Sequence, residues 1–211
     1  ARLVAGTAAG GAGLSREIGR TLARIHAMPA SGLEALDGLS ADPARRALNR
    51  LSARLRSAKS RPALDRALDL LWEKAPPRGR PVVLTHGDFR ASNLVASGDR
   101  VAAVLDWEFA HWSDPIEDYG WFTARCWRRH CPEREAGGLG PIAAFDEGYR
   151  EGGGAPPDAD LLRFWQAYAH LRWAGIAMVQ ISRGRANGRA DLVGLEGRLP
   201  EIESELLRLA A

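Results

Sequence analysis

The chain has 211 residues, 45% hydrophobic and 26% charged, which is the balance of a globular protein long enough to bury a core. Its net charge is +3, and the basic residues are scattered instead of forming the basic stripe that binds nucleic acid. With no apolar run long enough to cross a bilayer, no charged-then-apolar leader and only two cysteines, the sequence predicts a cytoplasmic protein without nucleic-acid or membrane partners.

The first predicted elements along the chain are helices. Apolar residues at helical spacing predict a first helix that Ser15 caps and Pro29 ends. Leucines at the same spacing predict two further helices, over 44–58 and 62–74. A proline pair and a glycine then end this helical block.

The hydrophobic period changes in the middle of the chain. Two runs typical of strands, 93–97 and 100–106, flank a Gly-Asp dipeptide, and a two-residue loop of this kind predicts a β-hairpin. After Pro115 the pattern is helical again, and the longest helix is predicted over 157–181. The fold class expected from the sequence is mainly α with a small β-hairpin (α+β).

Polar side chains gather on this hairpin and on the loop that leads into it. If the residues flanking the Gly-Asp loop pair with each other, Asn93 lies opposite Val104, and Asp106 is its diagonal neighbour on the same face. Such neighbours have Cβ atoms within about 7–8 Å. Amide and carboxylate oxygens are ligands that Mg²⁺ accepts, at roughly 2.1 Å, so the pair predicts a metal site with Asp88 nearby.

This arrangement suits phosphoryl transfer. A metal ion neutralises charge on the phosphates while a free carboxylate, here Asp88, accepts a proton from the attacking hydroxyl. Each residue taken alone could simply mark a turn, as Asp and Asn often do. The spacing of Asp88, Asn93 and Asp106 together favours a catalytic site.

The same residues carry a family resemblance. The segment T-H-G-D-F-R-A-S-N at 85–93, with V-L-D-W-E at 104–108, resembles the catalytic core of the aminoglycoside phosphotransferase/choline kinase-like family, which shares the protein-kinase fold. The combination is more specific than either half. The resemblance implies that residues 1–211 form one helical C-lobe, with the catalytic loop and metal-binding hairpin at 82–108. The D-F-R and D-W-E variants are similar to a bacterial branch of the family, partly related to domains fused to acyl-CoA dehydrogenases.

The resemblance implies an ATP- and Mg²⁺-dependent kinase that transfers the γ-phosphate to a hydroxyl of a small molecule. Asp88 would be the catalytic base, and Arg90 would lie near the transferred phosphate. Asn93 and Asp106 would bind Mg²⁺ and, through it, the nucleotide. The acceptor is not implied, although the mildly basic chain disfavours polycationic aminoglycosides.

Supporting roles and acceptor contacts follow from the same resemblance. His86 and Asp118 would hold the catalytic loop. Glu108 would either bind the acceptor or pair with the arginine of that loop, His111 is a candidate substrate contact, and Asp114 would either brace a loop or belong to the substrate face. Four tryptophans are candidates for the acceptor pocket, although burial in the core is the commoner role: Trp107, Trp112, Trp121 and Trp127.

Other functions are kept as alternatives. The family's N-lobe, with its glycine-rich cover and strand lysine, is not in this sequence, and Lys59 and Lys74 belong to the helical region. The chain alone is therefore expected not to bind ATP normally, and a non-catalytic binding module or a truncated fragment is the main alternative. A metal-dependent hydrolase using His86 and Asp88 lacks further ligands. A zinc site formed by Cys126, His130 and Cys131 lacks a fourth ligand.

Overall fold

The secondary structure is mainly helical. The structure is a computed structural model that describes residues 2–3, 11–39, 42–56, 61–128 and 131–210. Within these ranges the helices are α1 Ala12–His26, α2 Pro43–Arg56, α3 Pro62–Glu73, α4 Pro115–Thr123, α5 Ile142–Glu151, α6 Ala159–Ala186, α7 Ala190–Val193 and α8 Leu199–Ala210. The strands are β1 Arg2–Leu3, β2 Val83–Thr85, β3 Leu94–Ser97, β4 Arg100–Val104 and β5 His111–Ser113. These elements confirm the predicted fold class.

The helices follow the apolar periodicity, with one error at a helix start. The bounds of α2 and α3 lie within two residues of the predicted ones, and residues 57–60 lie outside the described residues. The predicted cap at Ser15 is wrong, because α1 begins at Ala12 and the buried Ser15 hydroxyl donates to the carbonyl oxygen of Pro141 at 3.1 Å. No helix of the described ranges is long and apolar enough to cross a membrane.

Close helix packing forms the core around the catalytic region. Helix α1 lies against α5, and a Cβ atom on Gly148 would overlap the carbonyl oxygen of Arg16. Helix α4 is buried along its sequence from Ile116 to Thr123, and a Cβ atom on its Gly120 would overlap Trp165 of α6. Because α4 is held this closely, it is a rigid support for the loops that pack on it.

The strands form two small antiparallel sheets. The hairpin β3–β4 pairs Ser97 with Arg100 as predicted, and β1 adds to β3 to give the order β1-β3-β4. A register shift in the hairpin moves the pairing by one residue, so that Leu94 lies opposite Val104. The predicted position of Asn93 opposite Val104 is therefore wrong. The second sheet pairs β2 with β5, which the sequence did not predict.

Candidate active site

The loop after β2 is fixed by a glycine and a buried phenylalanine. Gly87 has φ +77°, and a Cβ atom there would overlap the carbonyl oxygen of Phe109. The Phe89 ring is fully buried, with its centroid 5.5 Å from that of Phe122 in α4. Anchored in this way, the loop brings Asp88 and Arg90 to the wall of a cavity.

The Asp88 carboxylate is oriented by three hydrogen-bond donors. Trp121 Nε1 donates to Oδ1 at 2.9 Å, while Arg90 Nε and Asn93 Nδ2 donate to Oδ2 at 3.0 and 2.9 Å. The side chain keeps 14% of its surface exposed. Both oxygens are therefore held in place, and the exposed part of the carboxylate faces the cavity, where it can accept a further hydrogen bond.

His86 and Asp118 connect this loop to the strand ends and to α4. His86 Nε2 donates to the carbonyl oxygen of Leu105 at 2.8 Å, and Nδ1 accepts from the backbone N–H of Asp88 at 3.2 Å, a tautomer assigned from these partners. The buried Asp118 carboxylate accepts the N–H groups of His86 and Gly87, at 2.5 and 2.9 Å. Both ring nitrogens of His86 are thus in use, and neither is available to a metal ion.

The two residues predicted to bind Mg²⁺ lie at adjacent strand ends. Leu105 N–H donates to the Asn93 carbonyl oxygen at 2.8 Å, which places Asp106 one residue beyond the pairing. Asn93 Nδ2 donates to Asp88 Oδ2 and to its carbonyl oxygen, both at 2.9 Å, while Oδ1 accepts the Ser92 hydroxyl at 3.3 Å and keeps a lone pair for a further partner. Asp106 has φ +63°, the one positive φ of a non-glycine residue in the described ranges.

The chemistry of these two side chains fits a hard cation. The exposed Asp106 carboxylate accepts no hydrogen bond from the described residues, and its left-handed backbone is the kind of strain that accumulates at functional sites. Nowhere in the described ranges do three or more His, Cys, Asp or Glu side chains gather as a metal-binding group. A site made of Asn93 and Asp106 would therefore need oxygens from a ligand and from water, as Mg²⁺ sites commonly do.

Arg90 pairs with the Asp88 carboxylate and not with Glu108. Its Cζ lies 5.0 Å from the ring centroid of Trp127, while its Nε donates to Asp88. The exposed Glu108 has no hydrogen bond or ion pair with any described residue, but it lines the cavity. Of the two roles predicted for Glu108, pairing with Arg90 is thus not found, and contact with an acceptor stays a prediction.

Two connected cavities adjoin this loop. The first, of about 400 Å³, is lined by Asp88 and Asp106 and by three tryptophans, Trp121, Trp127 and Trp173. The second, of about 200 Å³, shares four residues with it: Arg54, Glu108, Phe109 and Arg172. Of the four predicted tryptophans, Trp121 and Trp127 line the first cavity. Trp107 is exposed, and the buried Trp112 donates to the carbonyl oxygen of Leu33, so neither lines a cavity.

A buried ion pair lies in the wall of the second cavity. His111 Nδ1 donates to the Phe109 carbonyl oxygen at 2.8 Å, and Nε2 lies 3.2 Å from Glu117 Oε2 and 3.1 Å from Arg50 Nη2. Glu117 Oε2 also accepts from the Ser113 hydroxyl. Burial lowers the pKa of His111, but the Glu117 carboxylate more than offsets this, and the net pKa is raised. Burial alone would raise the pKa of Glu117, but His111 and then Arg172 hold it far below its usual range.

Asp114 is a structural residue in this fold. Its carboxylate is fully buried, accepts the Ile116 N–H at 2.9 Å as the N-cap of α4, and pairs with Arg80. It lines neither of the two cavities. Both oxygens are engaged by Ile116 and Arg80, which favours the brace of the two predicted roles, and a contact with the substrate stays a prediction.

The cysteine cluster does not form a zinc site in the described residues. Cys126 is buried, its N–H donates to His170 Nε2 at 3.3 Å, and burial raises the pKa of its thiol. Burial lowers the pKa of His170, whose Nδ1 donates to the Gln166 carbonyl oxygen. Both cysteines are free thiols, and His130 lies outside the described residues.

Sequence reasoning missed part of the cavity wall. The lining residues that were not predicted lie on three helices: Glu117 on α4, Arg172 and Trp173 on α6, and Arg54 on α2. Each lies in a stretch whose sequence predicts only a helix, where a charged residue is usually solvated and an aromatic one is usually in the core. In the sequence, the one hint that a charged residue belongs to this wall was Glu117, which lies two residues after a proline and next to a second acid.

The fold is kinase-like: a mainly helical lobe carries a small hairpin, with the loop at 85–93 leading into it. Residues 5–165 match the phosphotransferase enzyme family, and the chain belongs to that family. Among curated proteins, human acyl-CoA dehydrogenase family member 11 is 26% identical over 185 residues, which cover 77% of this chain and 22% of that protein. The chain thus spans about a fifth of the length of the curated relatives it matches.

Solved structures show the same fold at low sequence identity. A candidate aminoglycoside phosphotransferase from Ralstonia eutropha has a TM-score of 0.76 and 22% identity, covering 94% of this chain and 65% of that one. The spectinomycin phosphotransferase crystallised with ADP and spectinomycin has a TM-score of 0.62 and 16% identity, with the same coverage of 94% and 65%. Macrolide 2'-phosphotransferase from Brachybacterium faecium has a TM-score of 0.58 and 22% identity, covering 92% and 61%.

Proposed function

We propose that residues 1–211 are the C-lobe of an ATP- and Mg²⁺-dependent small-molecule kinase, with its catalytic loop and metal-binding hairpin at 82–108. The observation that carries the proposal is the Asp88 carboxylate, held by three donors at the wall of a cavity that Asp106 also lines. A related fold crystallised with ADP and a small-molecule antibiotic supports the same pairing of substrates. The acceptor is a small molecule with a hydroxyl group.

Asp88 acts as the general base in the proposed reaction. The acceptor oxygen forms a bond to the γ-phosphorus, the bond between that phosphorus and the ADP oxygen breaks, and the hydroxyl proton passes to the Asp88 carboxylate. Trp121 and Asn93 keep the carboxylate oriented towards the cavity. Arg90, bonded to the same carboxylate, offsets negative charge near the transferred group.

Asn93 and Asp106 would hold Mg²⁺. When bound, the ion neutralises charge on the phosphates. Asn93 Oδ1 is the atom that would bind the ion, because both bonds made by Nδ2 go to Asp88 and Oδ1 accepts only the Ser92 hydroxyl among the described residues. His86 and Asp118 keep the loop and the end of β4 together, and so keep the base and the metal ligands at a constant separation.

Two further residues, Glu108 and His111, lie in the cavity walls. Glu108 is proposed as an acceptor contact, because it lines both cavities without a partner among the described residues. His111 reaches only the second cavity and is committed to Glu117 and Phe109, so its role is to shape that wall. We also propose a cytoplasmic location, since Cys126 and Cys131 are free thiols. No nucleic-acid or membrane partner is proposed.

The Asp88→Asn variant tests the proposal. In the protein expressed from its complete open reading frame, we expect kcat with Mg-ATP and a hydroxyl acceptor to fall at least about 100-fold, because the amide is no base. The melting temperature and acceptor binding should change little, since the shape is retained. The matched control is Asp69→Asn, an exposed carboxylate on α3.

Two results would overturn this function. Near-normal turnover by Asp88→Asn would show that Asp88 is not the base. Acceptor binding by the wild-type protein with no phosphate transfer to any alcohol in a broad panel would favour the alternative of a non-catalytic binding module. The hydrolase alternative is already disfavoured, because both ring nitrogens of His86 are engaged.

A further inference from the structure

The walls of the two cavities carry more positive than negative charge. They contain five arginines and four acids: Arg50, Arg54, Arg90, Arg172 and Arg183, with Asp88, Asp106, Glu108 and Glu117. Pairing takes up charges of both signs, because Asp88 pairs with Arg90, Glu117 pairs with His111, and Arg50 pairs with Asp37 outside the cavities. Asp106 is the proposed ligand of Mg²⁺, which leaves a single carboxylate in these walls for a cationic group. The charge balance therefore favours an anionic ligand.

Arg172 has a buried donor without a hydrogen bond in the described part of the chain. Its side chain is 13% exposed, and Nη1 is buried without a hydrogen bond among the described residues. The closest carboxylate oxygen is Glu117 Oε1, at 3.8 Å, which is too far for a hydrogen bond. Leaving a buried charged donor unbonded is costly, and an oxygen of a ligand in the cavity would satisfy it.

Arg54 brings a second guanidinium into the same space. Burial lowers the pKa of Arg54, and the like charge of Arg172 lowers it further. Room for this side chain comes from Gly175 of α6, where a Cβ atom would lie 3.2 Å from Arg54 Cδ. Two positive groups that repel each other at the junction of the cavities would both be stabilised by a bound anion.

Trp121 contacts both Arg172 and Asp88, the proposed base. The indole Nε1 donates to Asp88, and the face of the same ring carries Arg172, whose Cζ is 4.5 Å from the ring centroid. Trp127 and Trp173 continue the aromatic wall. On the basis of the proposed function, we infer that the acceptor is an alcohol with an anionic group, held by Arg172 and Arg54 about one aromatic ring away from the hydroxyl that faces Asp88.

Three probes of the same shape and different charge test this substrate class. They are para-hydroxymethylbenzoate, its carboxamide and the corresponding benzylamine, titrated by calorimetry into the protein expressed from its complete open reading frame, without nucleotide. We expect the benzoate to bind about tenfold more tightly than the amide, the effect of one hydrogen bond to a charged group. The Arg172→Gln and Arg54→Gln variants should each lose most of this preference, and Arg172→Lys should keep part of it.

The matched control is Arg185→Gln, an exposed arginine on α6 that pairs with Glu196 away from the cavities, and it should keep the preference. Melting curves of every variant identify any loss that comes from unfolding. Equal or weaker binding of the benzoate, no binding of it, or an unchanged preference in folded Arg172→Gln would overturn the inference. Binding without nucleotide is independent of transfer, so a charge preference in a protein that transfers no phosphate would refute the proposed kinase activity alone.

Discussion

Replacing Asp118 by alanine tests how the catalytic loop is held. The carboxylate is fully buried and accepts the backbone N–H groups of His86 and Gly87, at 2.5 and 2.9 Å. Alanine has no acceptor, and both of these residues are buried, so water cannot replace the lost oxygen atoms without opening the loop. The variant should therefore loosen the loop that carries Asp88 as well as destabilise the fold.

The size of the effect follows from the two bonds. A hydrogen bond to a charged group contributes about 1.5–3 kcal/mol, and part of this is returned because a carboxylate no longer has to be buried. We expect Asp118→Ala to lower the free energy of unfolding by about 3 kcal/mol. For a chain of this size that corresponds to a fall in Tm of roughly 6–12 °C. Asp118→Asn keeps one acceptor and should lose about half as much.

Thermal and urea unfolding followed by circular dichroism measure both quantities. The matched control is Asp69→Ala, which removes an exposed carboxylate on α3 that has no partner among the described residues. Its Tm should stay within a degree or so of the wild-type value. A loss below about 1 kcal/mol in Asp118→Ala would refute the reasoning, because it would mean that the two N–H groups find other partners without cost.

Three further changes test other parts of the molecule. Asp106→Asn should weaken Mg²⁺-dependent nucleotide binding, measured by titration, because it removes a charged oxygen ligand. The Tm should change little, because asparagine tolerates the left-handed backbone at this position. Unchanged titration curves would exclude the metal role. The folded state raises the pKa of His111, so its contribution to stability is present below the unfolded pKa of about 6.5 and is lost as pH rises through the folded pKa. The difference in the free energy of unfolding between wild type and His111→Gln, measured by urea unfolding, should therefore shrink as pH rises above about 6.5, and a constant difference would contradict this. Gly148→Ala should lower the free energy of unfolding by about 1–3 kcal/mol, because the added methyl group overlaps the backbone of Arg16. The control Gly194→Ala has open space around it and should not lower this free energy. Equal effects of the two changes would argue against the close packing of α1 on α5.

Local patterns were enough to predict the helices and the catalytic motif. The apolar spacing of α2 and α3, the Gly-Asp turn of the hairpin and the H-G-D-x-x-x-x-N segment are each contained in a short stretch of chain. Their information is local, because side-chain periodicity and turn chemistry act between residues a few positions apart. For the same reason the pairing of Ser97 with Arg100, next to the turn, was predicted correctly.

Only the tertiary structure decided how distant segments meet. The register shift that displaces Asn93, the pairing of β2 with β5 and the burial of Ser15 against Pro141 all depend on contacts between remote parts of the chain. The same holds for the acceptor cavity, where Arg54 of α2 and Arg172 of α6 are brought together although more than a hundred positions separate them. From the sequence alone, an arginine in a predicted helix is expected to be exposed to solvent. Packing of the two helices places both arginines in the wall of the same cavity and removes water from around their charges, which is why we propose that they bind an anionic group.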